Sequence, residues 1–185
     1  MFAEDLVNIG LSKELAVLVI SMLPVVELRG ALPVAINVFD IPWYYAFAIA
    51  FAGNLLPVPF ILLFLEKVAG WLMSWPIFDR FFSWLFERTR RRSNLTTRYE
   101  SIGLALFVAV PLPLTGAWTG SLVAVLLGLK RKTAFISIAI GVFIAGAIVT
   151  ALSLLGWLGA LVAGLLLAVA AVSGLWRASR EATHE

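Results

Sequence analysis

The chain has 185 residues and a net charge of +3, and 62% of its residues are hydrophobic whereas only 14% are charged. This composition is typical of an integral membrane protein and excludes a water-soluble domain, which needs more polar surface. Cysteine is absent and the single histidine is His184, so thiol chemistry, iron–sulfur clusters and histidine-built metal sites are excluded. We therefore expect neither a metal nor another cofactor.

The first apolar segment, residues 12–39, is interrupted by residues that do not suit a continuous membrane helix. They are two prolines, a glycine, an acid and a base: Pro24, Pro33, Gly30, Glu27 and Arg29. A charged side chain at the bilayer centre costs roughly 2.5–3.5 kcal/mol on insertion scales, and proline removes a helical hydrogen bond. The apolar run before the break rises only ~14 Å, about half of the ~30 Å hydrocarbon core. These features predict a re-entrant hairpin that turns between Pro24 and Gly30 and leaves on the side where it entered.

The next segment, residues 44–65, is long enough to cross the membrane once. Asn54 and the prolines of the surrounding Gly-Asn-Leu-Leu-Pro-Val-Pro run predict a kink with a polar face. The charged residues 66–67 are expected to end this span. Residues 68–100 are first aromatic and amphipathic and then rich in arginine, which predicts a cytoplasmic interfacial helix and basic loop rather than a nucleic-acid partner.

The second half of the chain has the same order of elements. Residues 102–129 form an apolar segment that is interrupted between residues 110 and 121 by prolines, glycines and hydroxyl side chains. A second hairpin is predicted there. The cluster Lys130–Lys132 follows, then a span over residues 134–154 and a C-terminal span over residues 157–176.

The placement of basic residues decides between hairpins and full crossings. If both interrupted segments turn back, every Lys and Arg except Lys13 and Arg29 lies on one side of the membrane. The positive-inside rule assigns that side to the cytoplasm. We therefore expect a multi-pass protein of the cell membrane (plasma or inner membrane), with its basic loops and C-terminus in the cytoplasm.

The two halves also resemble each other weakly. Residues 28–33 align loosely with residues 114–119, and Gly53 recurs as Gly141. The predicted fold is an all-α integral membrane protein, a single membrane domain over residues 1–185. It contains an inverted repeat of two re-entrant hairpins, each followed by a transmembrane helix, together with the interfacial helix and the C-terminal span. Inverted repeats of this kind place a transport site between the halves at the midplane.

Glu27 and Arg29 are the first candidates for such a site, because an ionisable residue inside a membrane segment is a functional candidate by default. In a functional interpretation, Glu27 binds a coupling proton and Arg29 binds an anionic group. In a structural interpretation, the two side chains form a buried ion pair that holds the turn. Asn54 is expected to contact a hairpin turn or a substrate. These alternatives stay open at this point.

Gly30 and Gly116 are predicted to begin the returning helices of the two hairpins. The free N–H groups and the positive dipole end of each returning helix would then point at the midplane. Together with Arg29 they would form an anion site. Thr115 and Thr119 would donate hydrogen bonds to a substrate there, or would only cap the break.

Three motifs carry a family resemblance: Glu-Leu-Arg-Gly-Ala-Leu-Pro at 27–33, Gly-Asn at 53–54, and Pro-Leu-Pro-Leu-Thr-Gly-Ala-Trp-Thr-Gly at 111–120. Over roughly residues 12–155 the chain resembles the putative small multidrug export proteins of bacteria and archaea. Those proteins are distantly similar to the DedA/VTT (SNARE-associated) membrane protein superfamily. That likeness implies paired re-entrant loops and, for some members, flipping of undecaprenyl phosphate or scrambling of lipids. The arginine that DedA proteins carry near the second turn is absent from residues 107–121.

The functional hypothesis is a small secondary transporter or flippase that moves an amphipathic or anionic substrate, with or without proton coupling through Glu27. Membrane lipids and a small amphipathic or phosphate-bearing substrate are the expected partners. A DedA-like polyprenyl-phosphate or phospholipid flippase or scramblase and a non-transporting membrane assembly protein are the alternatives. An enzyme is not expected, because the chain lacks a cysteine or histidine nucleophile and a paired acid cluster. A homodimer is expected, since three spans are few for a sealed path.

Overall fold

The computed structural model describes residues 2–8, 10–72, 94–112 and 115–156. Within these ranges the chain forms α-helices and connecting turns and no strand. Two helical stretches are long and apolar enough to cross a membrane, Trp43–Leu65 and Arg131–Leu154. They agree with the two predicted spans. The predicted C-terminal span and most of the predicted interfacial helix and basic loop lie outside the described residues.

In chain order, the described helices are α1 (Phe2–Asn8), α2 (Lys13–Met22), α3 (Glu27–Asn37), α4 (Trp43–Leu55), α5 (Val58–Leu72), α6 (Asn94–Ala109), α7 (Ala117–Leu126) and α8 (Arg131–Leu154).

The first apolar segment folds into two short helices, α2 and α3, that pack against each other. The Lys13 ammonium at the start of α2 donates a hydrogen bond to the Phe39 carbonyl just beyond α3, at 3.2 Å. The chain therefore returns to the level at which it started. With 10 and 11 residues, the two helices rise only ~15 and ~17 Å, which is too short for either to cross a bilayer.

The turn between α2 and α3 is shorter than predicted, because it covers only residues 23–26. Pro24 explains where α2 ends: the residue before a proline is driven out of the helical region, and Leu23 is extended with ψ 138°. Gly30 lies inside α3, where its amide donates to the Val26 carbonyl at 3.0 Å. The prediction that Gly30 begins the returning helix is therefore wrong.

Pro33 lies inside α3 as well and does not break it. Its missing N–H leaves the carbonyl of residue 29 without the usual helical donor. A membrane helix tolerates this when neighbouring helices surround it, and α3 packs against α2, α4 and α8.

The predicted kink in the first span is present. Helix α4 ends at Leu55 and α5 begins at Val58, with Pro57 between them. The apolar span ends at Leu65, directly before the charged residues 66–67, as predicted, whereas helix α5 itself continues to Leu72. Glutamate and lysine are both good helix formers, and a helix that leaves the apolar layer has no reason to stop at them.

The second half again consists of two shorter helices, α6 and α7, followed by the long helix α8. Helix α6 starts at Asn94, before the predicted beginning of the apolar segment, and ends at Ala109. Helix α7 starts after Gly116, which is its N-cap residue, as the sequence predicts. Gly128 has a φ of +65° in the turn that leads to α8, a backbone conformation that glycine adopts at little cost.

Corresponding glycines bring each long helix close to the first helix of its own half. A β-carbon at Gly53 of α4 would lie 2.7 Å from the Leu18 carbonyl oxygen of α2. A β-carbon at Gly141 of α8 would lie 2.6 Å from the Ala105 carbonyl oxygen of α6. The returning helices cross to the other half, since α3 packs on α8 and α7 packs on α5.

Large apolar side chains cover much of the outer surface of the long helices. Phe60 is 68% exposed, Phe64 is 66% exposed and Phe143 is 54% exposed. In water such a surface would promote aggregation, whereas lipid solvates it at no cost. The chain is a membrane protein.

Candidate functional site

Four helix ends meet at one place, which we call the junction: the C-terminus of α2, the N-terminus of α3, the C-terminus of α6 and the N-terminus of α7. Each helix end leaves backbone N–H or C=O groups without a partner inside the helix. Side chains from the opposite half contact these groups, as described below for Glu27, Arg29 and Trp118. The junction therefore joins the two halves through charge and hydrogen bonding.

Glu27 is the first residue of α3 and is only 3% exposed. Its carboxylate lies directly against Gly116, where a β-carbon would overlap both carboxylate oxygens. The Trp118 amide of α7 donates to Glu27 Oε1 at 3.3 Å. The N-terminus of a helix attracts negative charge, by up to about 2 kcal/mol in partly buried geometries. The protein thus supplies its own anion to the start of α7.

The backbone of Glu27 is in the left-handed region, with a φ of +50°. A residue other than glycine held there costs on the order of 1–3 kcal/mol and persists only where its surroundings impose it. The conformation turns the chain from residues 23–26 into α3 at the point where the carboxylate meets α7. Strain of this kind is concentrated at functional sites.

Arg29 contacts the C-terminus of a helix, whereas Glu27 contacts an N-terminus. Its Nη1 donates to the Leu112 carbonyl at 3.0 Å, and its Nη2 donates to the carbonyls of Val108 and Val110 at 3.2 Å each. Its Nη1 also lies 3.7 Å from Glu27 Oε2. The guanidinium therefore places positive charge at the C-terminus of α6, where the helix dipole favours it.

The two threonines at the junction donate their hydrogen bonds within the second half, and Thr115 also accepts one from Arg29 of the first half. Thr115 Oγ1 accepts from Arg29 Nη2 at 3.2 Å and lies 2.7 Å from the Val110 carbonyl oxygen, to which its hydroxyl donates. Thr119 Oγ1 donates to the Gly116 carbonyl at 3.2 Å. Both hydroxyls thus have hydrogen-bond partners at the break.

Asn54, the last polar residue of α4, is fully buried. It lies beside the Glu27 carboxylate, yet neither its amide nitrogen nor its amide oxygen has a hydrogen-bond partner. Glu27 Oε2 and Arg29 Nε also lack partners. A buried polar atom without a hydrogen bond costs about 1–3 kcal/mol. The unsatisfied atoms of Asn54 beside the Glu27–Arg29 ion pair therefore indicate a place that can bind a proton or a polar ligand.

The structure brings together Glu27, Arg29, Thr115, Gly116 and Asn54. Gly30 is only partly buried and faces Val26, one turn earlier in the chain, where an added β-carbon would meet the Val26 side chain. Trp118 contributes more than the sequence indicates. Its indole Nε1 donates to the Met22 carbonyl at the end of α2, at 3.1 Å. In the sequence, only the position of Trp118 near the predicted second turn indicates that its side chain contacts the junction. In the described part of the chain, no three acidic or histidine side chains are grouped so that they could hold a metal ion.

A family model described as "Putative small multi-drug export protein" matches residues 27–148. The match begins at Glu27, includes the whole junction beyond α2 and ends within α8. Neither a curated protein nor a solved structure matches the chain. Because the match covers more than half of the sequence, the chain belongs to the putative small multi-drug export protein family.

Proposed function

We propose that this membrane protein is a small secondary transporter of the export type and that its substrate site is the junction. The observation that carries the proposal is the exchange of charges between the halves, in which Glu27 and Arg29 of α3 neutralise the helix ends of α7 and α6. A competing charge can open a contact of this kind without unfolding a helix. The family description indicates transport rather than catalysis.

In the proposed topology, α2–α3 and α6–α7 are re-entrant hairpins that enter the membrane from opposite sides. The short lengths of α2, α3 and α7 and the contact between Lys13 and Phe39 support this arrangement. The matching contacts of Gly53 and Gly141 support an inverted repeat. Helix ends at half depth must be covered by protein or must line water, and at the junction they cover one another.

The proposed substrate is an amphipathic cation, and protons compete with it for Glu27. Glu27 Oε2 has no hydrogen-bond partner, and the Glu27 carboxylate lies beside Asn54. A cation at this oxygen would compete with Arg29, whose Nη1 is 3.7 Å away. A proton there would turn the carboxyl into a donor, for which Asn54 Oδ1 is a buried acceptor. Either event weakens the contacts of Glu27 with Arg29 and with the start of α7 at the same time.

A second candidate substrate is a phosphate-bearing amphipath, such as a lipid carrier. The observation in its favour is that Arg29 and the N-terminus of α7 together already hold one carboxylate, that of Glu27. A phosphate group could take the place of that carboxylate once Glu27 is protonated. The likeness to the DedA/VTT superfamily and its lipid-flipping members stays a prediction.

The test is transport by the purified protein in proteoliposomes, with a lipophilic fluorescent cation and a pH gradient imposed in either direction. Glu27→Gln is expected to abolish the flux that depends on the gradient. Glu14→Gln is the matched control, because this carboxyl is exposed at the start of α2, and only the opposite end of α2 belongs to the junction. A backbone hydrogen bond and the Ser12 hydroxyl lower the pKa of Glu14, so it stays ionised at assay pH. Equal flux in Glu27→Gln and the wild type would contradict the proposed site.

The same vesicles distinguish the two substrates. The second candidate is selected if the wild-type protein moves a fluorescent phosphate-bearing lipid between the leaflets but does not transport the cation. Arg29→Gln should then abolish the movement of the lipid. A non-transporting assembly protein predicts normal cellular function after both Glu27→Gln and Arg29→Gln. In that case neither flux would be observed with the wild-type protein.

A further inference from the structure

A groove away from the junction lies between α5 and the first turns of α8. It has a volume of about 360 Å³. Its wall is formed by Pro59, Leu62, Leu63 and Phe135. Arg131 and Lys132 form its rim and contribute mainly their apolar stems, so almost all of the lining is apolar. Its apolar wall and positive rim match the two parts of a membrane lipid, an acyl chain and a charged headgroup.

The rim is unusually positive for the start of a helix. Lys130 is the N-cap residue of α8, Arg131 and Lys132 follow it, and the first turn holds no acidic residue. Helix N-termini normally favour acidic side chains, because the dipole is positive there. Lys132 lines the groove, and its charge adds to the dipole instead of opposing it, so an anion that binds beside Lys132 is stabilised by both.

The two helices that form the groove also carry exposed apolar side chains. Phe60 and Phe64 of α5 are exposed next to its wall in sequence, and so is Ile136 of α8. A lipid can therefore reach the groove without leaving the bilayer. A soluble phosphate could contact the cations but would leave the apolar wall uncovered.

We propose that this groove binds one anionic membrane phospholipid from the leaflet that faces the Lys130–Lys132 cluster. Its phosphate lies at Lys132, and the upper part of one acyl chain lies against Leu63 and Phe135. The site is separate from the junction, and the proposal does not depend on what the protein transports.

The experiment is native mass spectrometry of the full chain in detergent, titrated with phosphatidylglycerol and with phosphatidylcholine of the same acyl chains. Phosphatidylglycerol is expected to bind more tightly. Lys132→Gln is expected to weaken its binding about fivefold, since a basic residue near an anionic lipid surface contributes about 1 kcal/mol. Lys132→Arg should keep the binding, which separates loss of charge from loss of folding.

Two further variants test whether the groove itself is the site. Lys130 lies two residues before Lys132 and does not line the groove. Lys130→Gln removes the same charge, but its effect on lipid binding should be clearly smaller. Leu63→Trp fills the groove from a 40% exposed position and should weaken the binding of both lipids. Equal effects of Lys130→Gln and Lys132→Gln, equal binding of the two lipids, or displacement of the lipid by inorganic phosphate would each overturn the proposal.

Discussion

Gly116 has no room for a side chain, because the Glu27 carboxylate lies against its α-carbon. In Gly116→Ala the β-carbon would meet both carboxylate oxygens, and the buried carboxylate would have to leave the start of α7. Overpacking of this kind costs typically about 1–3 kcal/mol. We expect the free energy of unfolding in detergent to fall by that amount, together with loss of transport.

Gly103→Ala is the matched control. This glycine lies in α6 with no atom within 4 Å of an added β-carbon, so alanine should leave stability unchanged or raise it by about 0.5–1 kcal/mol. The double variant Gly116→Ala/Glu27→Ala should lose less stability than the sum of the single variants, because the clash needs both groups. Additive losses would contradict the contact.

Thr115 and Thr119 should respond differently to removal of the hydroxyl. Thr115 is bonded to Arg29 and to a carbonyl of the turn, and hydrogen bonds to charged groups contribute about 1.5–3 kcal/mol. Thr119 donates only within its own helix. We expect Thr115→Val to lower the unfolding free energy by about 1.5 kcal/mol or more and Thr119→Val to lower it far less. Equal losses in the same denaturation assay would show that the bond to Arg29 adds nothing.

The candidate residues could be found from sequence, but their partners could not. Charges at membrane depth single out Glu27 and Arg29 without a structure. The atoms that Arg29 contacts are backbone carbonyls of Val108, Val110 and Leu112, 79 to 83 residues away. A carbonyl has the same chemistry in every residue type, so no sequence pattern marks it. The sequence also places an external anion at the start of α7, whereas the structure places Glu27 there.

At the scale of helices, the close approach of each long helix to its partner depends on one glycine. Gly53→Ala and Gly141→Ala would each bring a β-carbon within 2.7 Å of a backbone carbonyl oxygen, and a backbone atom cannot rotate away. Each substitution should cost about 1–3 kcal/mol of unfolding free energy, again with Gly103→Ala as the reference. A neutral Gly141→Ala would mean that α6 and α8 are farther apart than described.

The elements were predictable where proline sets a boundary and less so elsewhere. Pro24 ends α2 and Pro57 divides α4 from α5, as their chemistry requires. The returning helices do not start at aligned residues: α7 begins at Ala117, whose counterpart is Ala31, but α3 already begins at Glu27. In the second half, α6 ends at Ala109, two residues before Pro111, because proline disfavours the helical conformation for the residue before it. In the first half, the left-handed backbone of Glu27 starts the helix about one turn earlier.

At the scale of the whole molecule, the proposed topology fixes which exposed positions share a face of the membrane. Cysteines introduced at Lys67 and Lys130 should react with a membrane-impermeant reagent from one side, and cysteines at Asp40 and Leu155 should react from the other. The reason is that a re-entrant α6–α7 pair adds no crossing between Lys67 and Lys130. Labelling of these two positions from opposite faces would show that the pair crosses the membrane.

The expected homodimer stays a prediction. Exposed aromatic side chains such as Phe60 and Phe143 suit a neighbouring chain as well as they suit lipid. A mass measurement of the protein in detergent should give twice the 20.2 kDa of one chain. A single-chain mass at every protein concentration would contradict the dimer.

The dependence between the halves has a direction that matters during biosynthesis. Glu27 and Arg29 emerge from the ribosome long before the helix ends of α6 and α7 that they neutralise, and chains fold from the N-terminus as they are made. The later segment, with its uncovered carbonyls and amides, therefore reaches the bilayer when its counterions are already in place. A fragment that starts at residue 94 would meet lipid without them, and quality-control proteases should remove it unless residues 1–72 are supplied as a separate chain.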